Sequence, residues 1–302
     1  MKLGLLTAAF PDLTLEQVAA WAASEGYETL EVACWPAAGA ERRRYAGVSH
    51  VDVDDFDPDE VLGILDRHGL AISALAYYPN NLHPDDELRE AANDHLRTVI
   101  DAAARLGVEV VGTFVGNDKD RPFPENLERF KGVWPALVDH AGERGVKVAI
   151  ENCPMIFSWD EWPGGNNLAW CPAHWDAMFE AIPADHFGLN LDPSHLVWLM
   201  IDPERVVYDY ADRIFHAHAK DLEIRRDGLY RHGTFSGGLG WQVPRLPGLG
   251  EVDWSRFVAA LVAVGYDSVL SVEHEDRRFE GDEELVKRGF LLARNALKPL
   301  LV

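Results

Sequence analysis

The chain has 302 residues, 47% of them hydrophobic and 26% charged, the profile of a globular protein with a sizeable core. Lys and Arg total 28 against 50 Asp and Glu, a formal net charge of −22, which counts against nucleic acid and anionic membrane as partners. Cys34, Cys153 and Cys171 form no CxxC pair, no run approaches a membrane span, and the short apolar start reads as a strand rather than a signal peptide; a reduced, cytoplasmic protein is expected.

In chain order, short β-rich runs alternate with longer amphipathic stretches. The first strand is predicted at 3–8, followed by a helix entered at Thr14, whose partner Gln17 completes a capping box, and stopped at Gly26. A second strand covers 29–33. Residues 34–57 read as a long irregular loop containing Arg42, Arg43 and Arg44, and Pro58 opens a helix that ends at Gly69. Strands at 71–77, 109–115 and 146–151 are separated by helices at 86–106 and 124–144. A long loop rich in Trp, Pro, Gly and Asn precedes a helix at 173–181 and the strand at 187–192. Then come a helix at 203–210, a strand at 214–218, another irregular loop, a helix at 254–264, a strand at 268–273 and a last helix at 283–297.

Eight strand–helix units in strict alternation predict one (β/α)8 TIM barrel spanning 1–302 as a single domain. A doubly wound sheet fits less well, because Phe10-Pro11-Asp12 stands where its Gly-rich phosphate turn would follow the first strand. In a barrel, the carboxyl ends of the strands share one mouth, and active sites lie there. Strand five ends Ile150-Glu151-Asn152; strand six ends Leu191-Asp192, with His195 just beyond; strand seven carries His216 and His218; strand eight runs into Glu273, His274 and Glu275. An Asp before Pro193-Ser194 is equally a turn former whose carboxylate caps nearby amides. Three carboxylates and an imidazole at four successive tips repel one another unless a cation lies among them. Such an O3N donor set suits one divalent ion of intermediate hardness: Mn2+ most naturally, with Mg2+, Co2+ or Zn2+ as alternatives. On strand seven, His218 lies nearer the carboxyl end and His216 deeper. On strand eight, Glu273 ends the strand, Glu275 falls into the loop and His274 points away, solvated or salt-bridged.

Val-Ala-Ile-Glu-Asn at 148–152, Leu-Asp-Pro-Ser-His at 191–195, His-Ala-Lys-Asp at 218–221 and Ser-Val-Glu at 271–273 resemble the xylose isomerase-like barrel superfamily. Within it the chain resembles the sugar (phosphate) isomerase/epimerase branch that includes ketose 3-epimerases, over essentially its full length. The resemblance implies metal ligation by Glu151, Asp192, His218 and Glu273, with Glu151 and Glu273 doubling as the acid/base pair. It places His195 and Arg245 against substrate hydroxyls, and Asn152 joins the expected substrate contacts. The implied reaction is proton transfer on a ketose or keto-sugar derivative through a metal-stabilised enediolate.

Other residues carry two readings each. Arg245 either holds substrate or pairs with surplus surface acid; Lys220 either orients substrate or is a buried partner of Asp221. The loop 153–170, with Phe157, Trp159, Trp162, Trp170, Asn166 and Asn167, suits stacking on sugar faces and reading hydroxyls, or packing on itself or a second subunit. Trp35, Tyr78 and His83 are weaker candidates of the same kind. No Gly-rich anion loop or basic cluster is evident at the tips of strands seven and eight, which argues against a phosphorylated substrate.

A lyase or dehydratase acting on a 3-keto-glycoside or inosose would share the first deprotonation, and the sequence does not separate it from an isomerase. An endonuclease IV-type nuclease resembles a trinuclear zinc site needing histidines on strands three and four; here those strands read Ala74-Leu75-Ala76-Tyr77 and Gly112-Thr113-Phe114-Val115. The expected partner is a small sugar, and a homo-oligomer, dimer or tetramer, is left open.

Overall fold

A computed structural model describes residues 1–36 and 47–301; the arginine run 42–44 lies outside the described residues. Within them the strands are β1 (Lys2–Leu6), β2 (Thr29–Ala33), β3 (Ala71–Ala76), β4 (Val110–Thr113), β5 (Lys147–Glu151), β6 (Phe187–Leu191), β7 (Ile214–Ala219), β8 (Asp221–Ile224), β9 (Gln242–Arg245) and β10 (Val269–Val272). The α-helices are α1 (Leu15–Ser24), α2 (Pro58–His68), α3 (Asp86–Leu106), α4 (Phe123–Gly142), α5 (Pro172–Ala181), α6 (Pro193–Trp198), α7 (Pro203–Asp209), α8 (Arg226–His232), α9 (Trp254–Ala263) and α10 (Glu283–Leu297).

Eight strands close a parallel barrel in the order β1-β10-β7-β6-β5-β4-β3-β2, the (β/α)8 TIM barrel that the alternation predicts. Parallel neighbours require long crossovers, and helices covering the barrel leave both strand faces buried. The five residues of β2 and of β6 are accordingly all buried. The helix signals act locally as chemistry dictates. Thr14 Oγ1 accepts from Gln17 N, and Gln17 returns a side-chain bond to Thr14 N. Gly69 and Gly107 end their helices at φ 67°.

Two departures bear on the mouth. The stretch after β7, expected to be irregular, holds the antiparallel hairpin β8–β9, with Asp221 opposite Arg245. Its strands are only four residues long, and Pro244 has no N–H to give a ladder, which suits an edge. Pro193 does not open a simple turn: it is the first residue of α6, with Asp192 as N-cap.

Candidate active site

The barrel register brings the carboxyl ends together. Glu151 is the last residue of β5, Asp192 follows β6, His218 lies on β7 and Glu273 follows β10. One donor atom from each of these four lies within 4.8 Å of the others. Asp192 satisfies both sequence readings with different oxygens. Its Oδ1 accepts from Ser194 N at 2.8 Å and caps α6; its Oδ2 is fully buried and makes no hydrogen bond. Asn152 holds this arrangement in place, receiving Asp192 N at 2.7 Å and donating to Asp192 O at 2.9 Å. Both polar ends of Asn152 are therefore occupied by backbone, which corrects its expected substrate role to that of a brace.

Lys220 enters the same cluster. Its Nζ lies 2.7 Å from Glu273 Oε2, 3.2 Å from Asp192 Oδ2, 3.3 Å from Glu275 Oε2 and 3.9 Å from Glu151 Oε1. The expected partnership with Asp221 is not formed. Adjacent residues on an extended chain point to opposite sides, and the Asp221 carboxylate instead accepts from Leu222 N, Gly248 N, Val252 N and Trp254 Nε1. Burial pushes the Glu151 carboxyl up, but the Lys220 charge and the neighbouring His195 and His218 rings outweigh it and hold the group below its ordinary range. Glu273 is lowered in the same way, against its own burial, first by Lys220. His195 Nε2 sits 3.4 Å from both Glu151 Oε1 and Asp192 Oδ2, buried and without a hydrogen bond.

Behind His218 lies a group that sequence reading missed. His218 Nδ1 faces Glu273 Oε2 at 3.1 Å and Glu151 Oε1 at 3.3 Å, while Nε2 is 2.9 Å from Oε2 of Glu31 on β2. Glu31 is completely buried and also accepts from the Tyr78 hydroxyl at 2.6 Å and Ser271 Oγ at 2.9 Å. Burial alone would raise its carboxyl, but His218 and His216 above all draw it down to about 2. The carboxylates of Glu31 and Glu273 hold His218 well above its ordinary value despite burial. His216 is the deeper histidine, as expected; its ring bonds Asn190 Oδ1 at 3.1 Å and Ser73 Oγ at 3.2 Å, and burial lowers it to about 4. The available signal was a lone acid in the apolar run Leu30-Glu31-Val32, which a buried strand does not tolerate unpaired. Gly112 makes room for the network, since a Cβ there would stand 2.4 Å from the Tyr78 hydroxyl.

Glu151, Lys220, Glu273 and Glu275 open into a cavity of about 720 Å3 also lined by Trp35, Tyr78 and Phe114. Trp35 lines it. Tyr78 does so only with its ring, because its hydroxyl is taken by Glu31 and Asn190. Arg245 lines the cavity but is 2% exposed and ion-paired, Nε to Glu223 Oε2 at 2.7 Å and Nη1 to Asp276 Oδ1 at 3.0 Å. Four of its five N–H groups are engaged, so the acid-pairing reading describes it and the substrate-hydroxyl reading does not. His274 is 2% exposed and packs on Phe290, not in solvent. His83 accepts from Asp85 N and does not line the cavity.

The loop 153–170 divides its expected sugar-reading residues. Phe157 lines the cavity; Trp162 and Trp170 line a separate hollow of about 610 Å3, and Trp159 is exposed. Asn167 is a brace, accepting from Val115 N and Gly116 N and donating to Glu151 O and Cys153 O. Gly165 permits this path, at φ 69° with the Pro154 carbonyl where a Cβ would stand. The sequence expectation of no basic cluster at the seventh and eighth tips is also corrected. Arg225 and Arg245 from the β8–β9 hairpin meet Arg277 and Arg278, from the loop after β10, at the cavity rim.

The donor set fits a divalent ion. Three carboxylates and the Nδ1 of His218 converge over a span little wider than two 2.0–2.2 Å metal–ligand bonds, and Asp192 Oδ2 is buried with no hydrogen bond to satisfy it. Glu31 on Nε2 is the carboxylate–histidine arrangement that fixes the tautomer and orientation of a metal-binding ring. Fold and site together define a (β/α)8 barrel with a buried cluster able to hold a metal ion. The chain belongs to the xylose isomerase-like TIM barrel family, whose match extends over residues 19–296. Among its relatives, YfiH of Bacillus subtilis (strain 168) is 26% identical over 91% of this chain and 93% of its own length. Inosose dehydratase of Geobacillus thermodenitrificans (strain NG80-2) is 25% identical over 70% of this chain and 71% of its own. Among solved structures, the IolI protein with a bound zinc atom superimposes with a TM-score of 0.71 at 18% identity, covering 100% of this chain and 99% of that one. L-ribulose 3-epimerase does so with a TM-score of 0.70 at 17% identity, covering 99% and 95%. The family thus joins epimerases and dehydratases on one fold.

Proposed function

We propose that the protein is a divalent-metal-dependent isomerase or epimerase of a ketose or keto-sugar derivative, with Mn2+ as the native ion. Glu151, Asp192, Nδ1 of His218 and Glu273 are the ligands. The observation that carries this reading is that two of the four converging groups, Glu151 and Glu273, also line the 720 Å3 cavity. What the ion supplies when bound is Lewis acidity that lowers the barrier to removing a proton beside a carbonyl. The chain's own residues do the rest. Glu151 and Glu273, at the ends of two different strands and both lining the cavity, are the pair that takes the proton from one side of the carbon and returns one to the other. His195 reaches substrate oxygen from beside Glu151, and Trp35 and Tyr78 present apolar ring surface that excludes water.

One observation favours a second reading, a dehydratase. Lys220 Nζ stands 2.7 Å from Glu273 and lines the cavity, an ammonium able to protonate a departing hydroxyl after the same C–H removal; the similarity to an inosose dehydratase supports it. The test is to load the protein with Mn2+ and incubate it in D2O with a panel of ketoses, keto-glycosides and inososes, read by NMR. Deuterium entering a substrate C–H with inversion or carbonyl migration is the expected result. Loss of water without recovery of an isomer would assign the dehydratase, and no exchange in any substrate would refute both.

A further inference from the structure

We propose that the outer end of the cavity is an anion-binding site, so that the substrate is a sugar derivative carrying a carboxylate or phosphate at the end away from the reacting carbon. The inference rests on the reading of the cavity as a keto-sugar site and narrows its substrate class.

Arg225, Arg245, Arg277 and Arg278 all line the cavity, Arg245 buried and the other three exposed. They come from two loops, the hairpin after β7 and the turn after β10, and the two are locked by buried charge. Arg245 is 2% exposed, Asp276 is fully buried, and Asp276 Oδ1 accepts both from Arg245 Nη1 and from Arg278 N. The turn that displays Arg277 and Arg278 is therefore fixed in place before any ligand arrives, which lowers the entropic cost of binding.

The charges do not balance. Glu223 is shared by three guanidinium groups: Arg245 on Oε2, Arg278 Nη2 on the same oxygen at 2.9 Å and Arg225 Nε near Oε1 at 3.6 Å. Asp276 answers Arg245 alone, and Arg277 has no ion-pair partner among the described residues. In a chain of net charge −22, acid for pairing is abundant, yet the ion pairs of these four guanidinium groups go to two carboxylates alone, Glu223 and Asp276. Exposed ion pairs stabilise a fold little, and like charges held together repel. Guanidinium forks converging on a cavity are suited to a carboxylate or phosphate, by charge-assisted and bidentate bonds. The polarity along the cavity also orients the ligand. Glu151, Glu273 and Glu275 gather round Lys220 and Glu161 adds a further acid to the wall, so an anionic group is favoured only beside the arginines.

The test compares an alcohol with its acidic counterparts. Binding of sorbitol, sorbitol 6-phosphate and gluconate to the metal-loaded protein is measured by calorimetry, and repeated on the double variant Arg277→Gln/Arg278→Gln. These side chains are exposed, and the variant's melting temperature verifies its fold. One of the two acids is expected to bind at least tenfold more tightly than sorbitol, at one site per chain, and to lose that advantage in the variant and at high salt. Which acid does so names the anion. Equal binding of all three ligands, or an acid preference that survives in the double variant, would overturn the proposal. The readout needs no turnover, so a failure of proton exchange and a failure of anion binding remain separate results.

Discussion

His218 divides the interior of the barrel mouth into two unlike halves. On its Nε2 side, Glu31, Tyr78, Asn190, His216, Ser73 and Ser271 form a closed network in which each side-chain polar group finds a partner. On its Nδ1 side, Asp192 Oδ2 and His195 Nε2 are buried without a hydrogen bond, and Asp192, Glu151, Glu273 and Glu275 share one ammonium. A satisfied buried network gives rigidity and costs the fold little; an unsatisfied one is expensive and persists only where a ligand completes it. The inner half is therefore scaffold and the outer half a cluster that a metal ion would complete, and the single imidazole between them joins one to the other.

The sharpest way to break this contrast is to neutralise the outer carboxylates one at a time. Glu151→Gln and Glu273→Gln are each expected to lower kcat for C–H exchange by about a thousandfold or more, within the range for removing a positioned acid or base. Circular dichroism should stay native in both, because the inner network is untouched. A variant that retains near-wild-type exchange in D2O removes that residue from proton transfer.

An acid titration of the metal-free protein separates the halves in a second way, with a smaller effect. Glu31 is held at about 2 in the fold, below its ordinary value of 4.5. A lowered carboxyl contributes stability that is complete above its ordinary value and is lost as pH falls through the folded one. His218 is raised, so its contribution is complete below about 6.5 and is lost only as pH rises past its elevated folded value. Between about pH 4.5 and 2 the Glu31 contribution, on the order of 3 kcal/mol, should disappear. Urea melts of the wild type should show that loss, and Glu31→Gln should start less stable at pH 7 and fall less steeply. Parallel curves for the two proteins would contradict the assignment of Glu31 as the buried counter-ion.

How much of this was readable in advance follows from distance along the chain. Caps at Thr14, Gly69 and Gly107, and the eight strands themselves, depend on residues a few positions apart, and the sequence displays them directly. The outer set was also legible, because a barrel sends every strand end to one mouth and Glu151, Asp192, His218 and Glu273 each stand at an end. Glu31 was not, since its partner His218 is 187 positions away and nothing local to β2 points to it. For Lys220 the local partner Asp221 is one of two readings, and strand alternation sends the two side chains in opposite directions. The arginine group has no local signature because it is assembled from two loops, one of them a hairpin of four-residue strands.

The smallest effect tests the link itself. If Glu31 orients His218, then Glu31→Gln keeps a hydrogen-bond acceptor beside Nε2 but removes the charge that draws the proton there. Nδ1 is then less often free to serve as a donor, and metal affinity is expected to fall tenfold to a hundredfold, about 1.4–2.7 kcal/mol. Calorimetric titration of the chelator-stripped protein with Mn2+ measures this directly, without a substrate. Glu31→Asp, whose shorter side chain keeps the charge, should recover part of the loss. Variants of deeper groups such as His216→Gln, which make no hydrogen bond to His218 or to the outer carboxylates, should lose stability while binding Mn2+ with nearly unchanged affinity. Equal losses of affinity in the Glu31 and His216 variants would mean that the inner half acts only as packing, and that the orientation of His218 is set from the outer side.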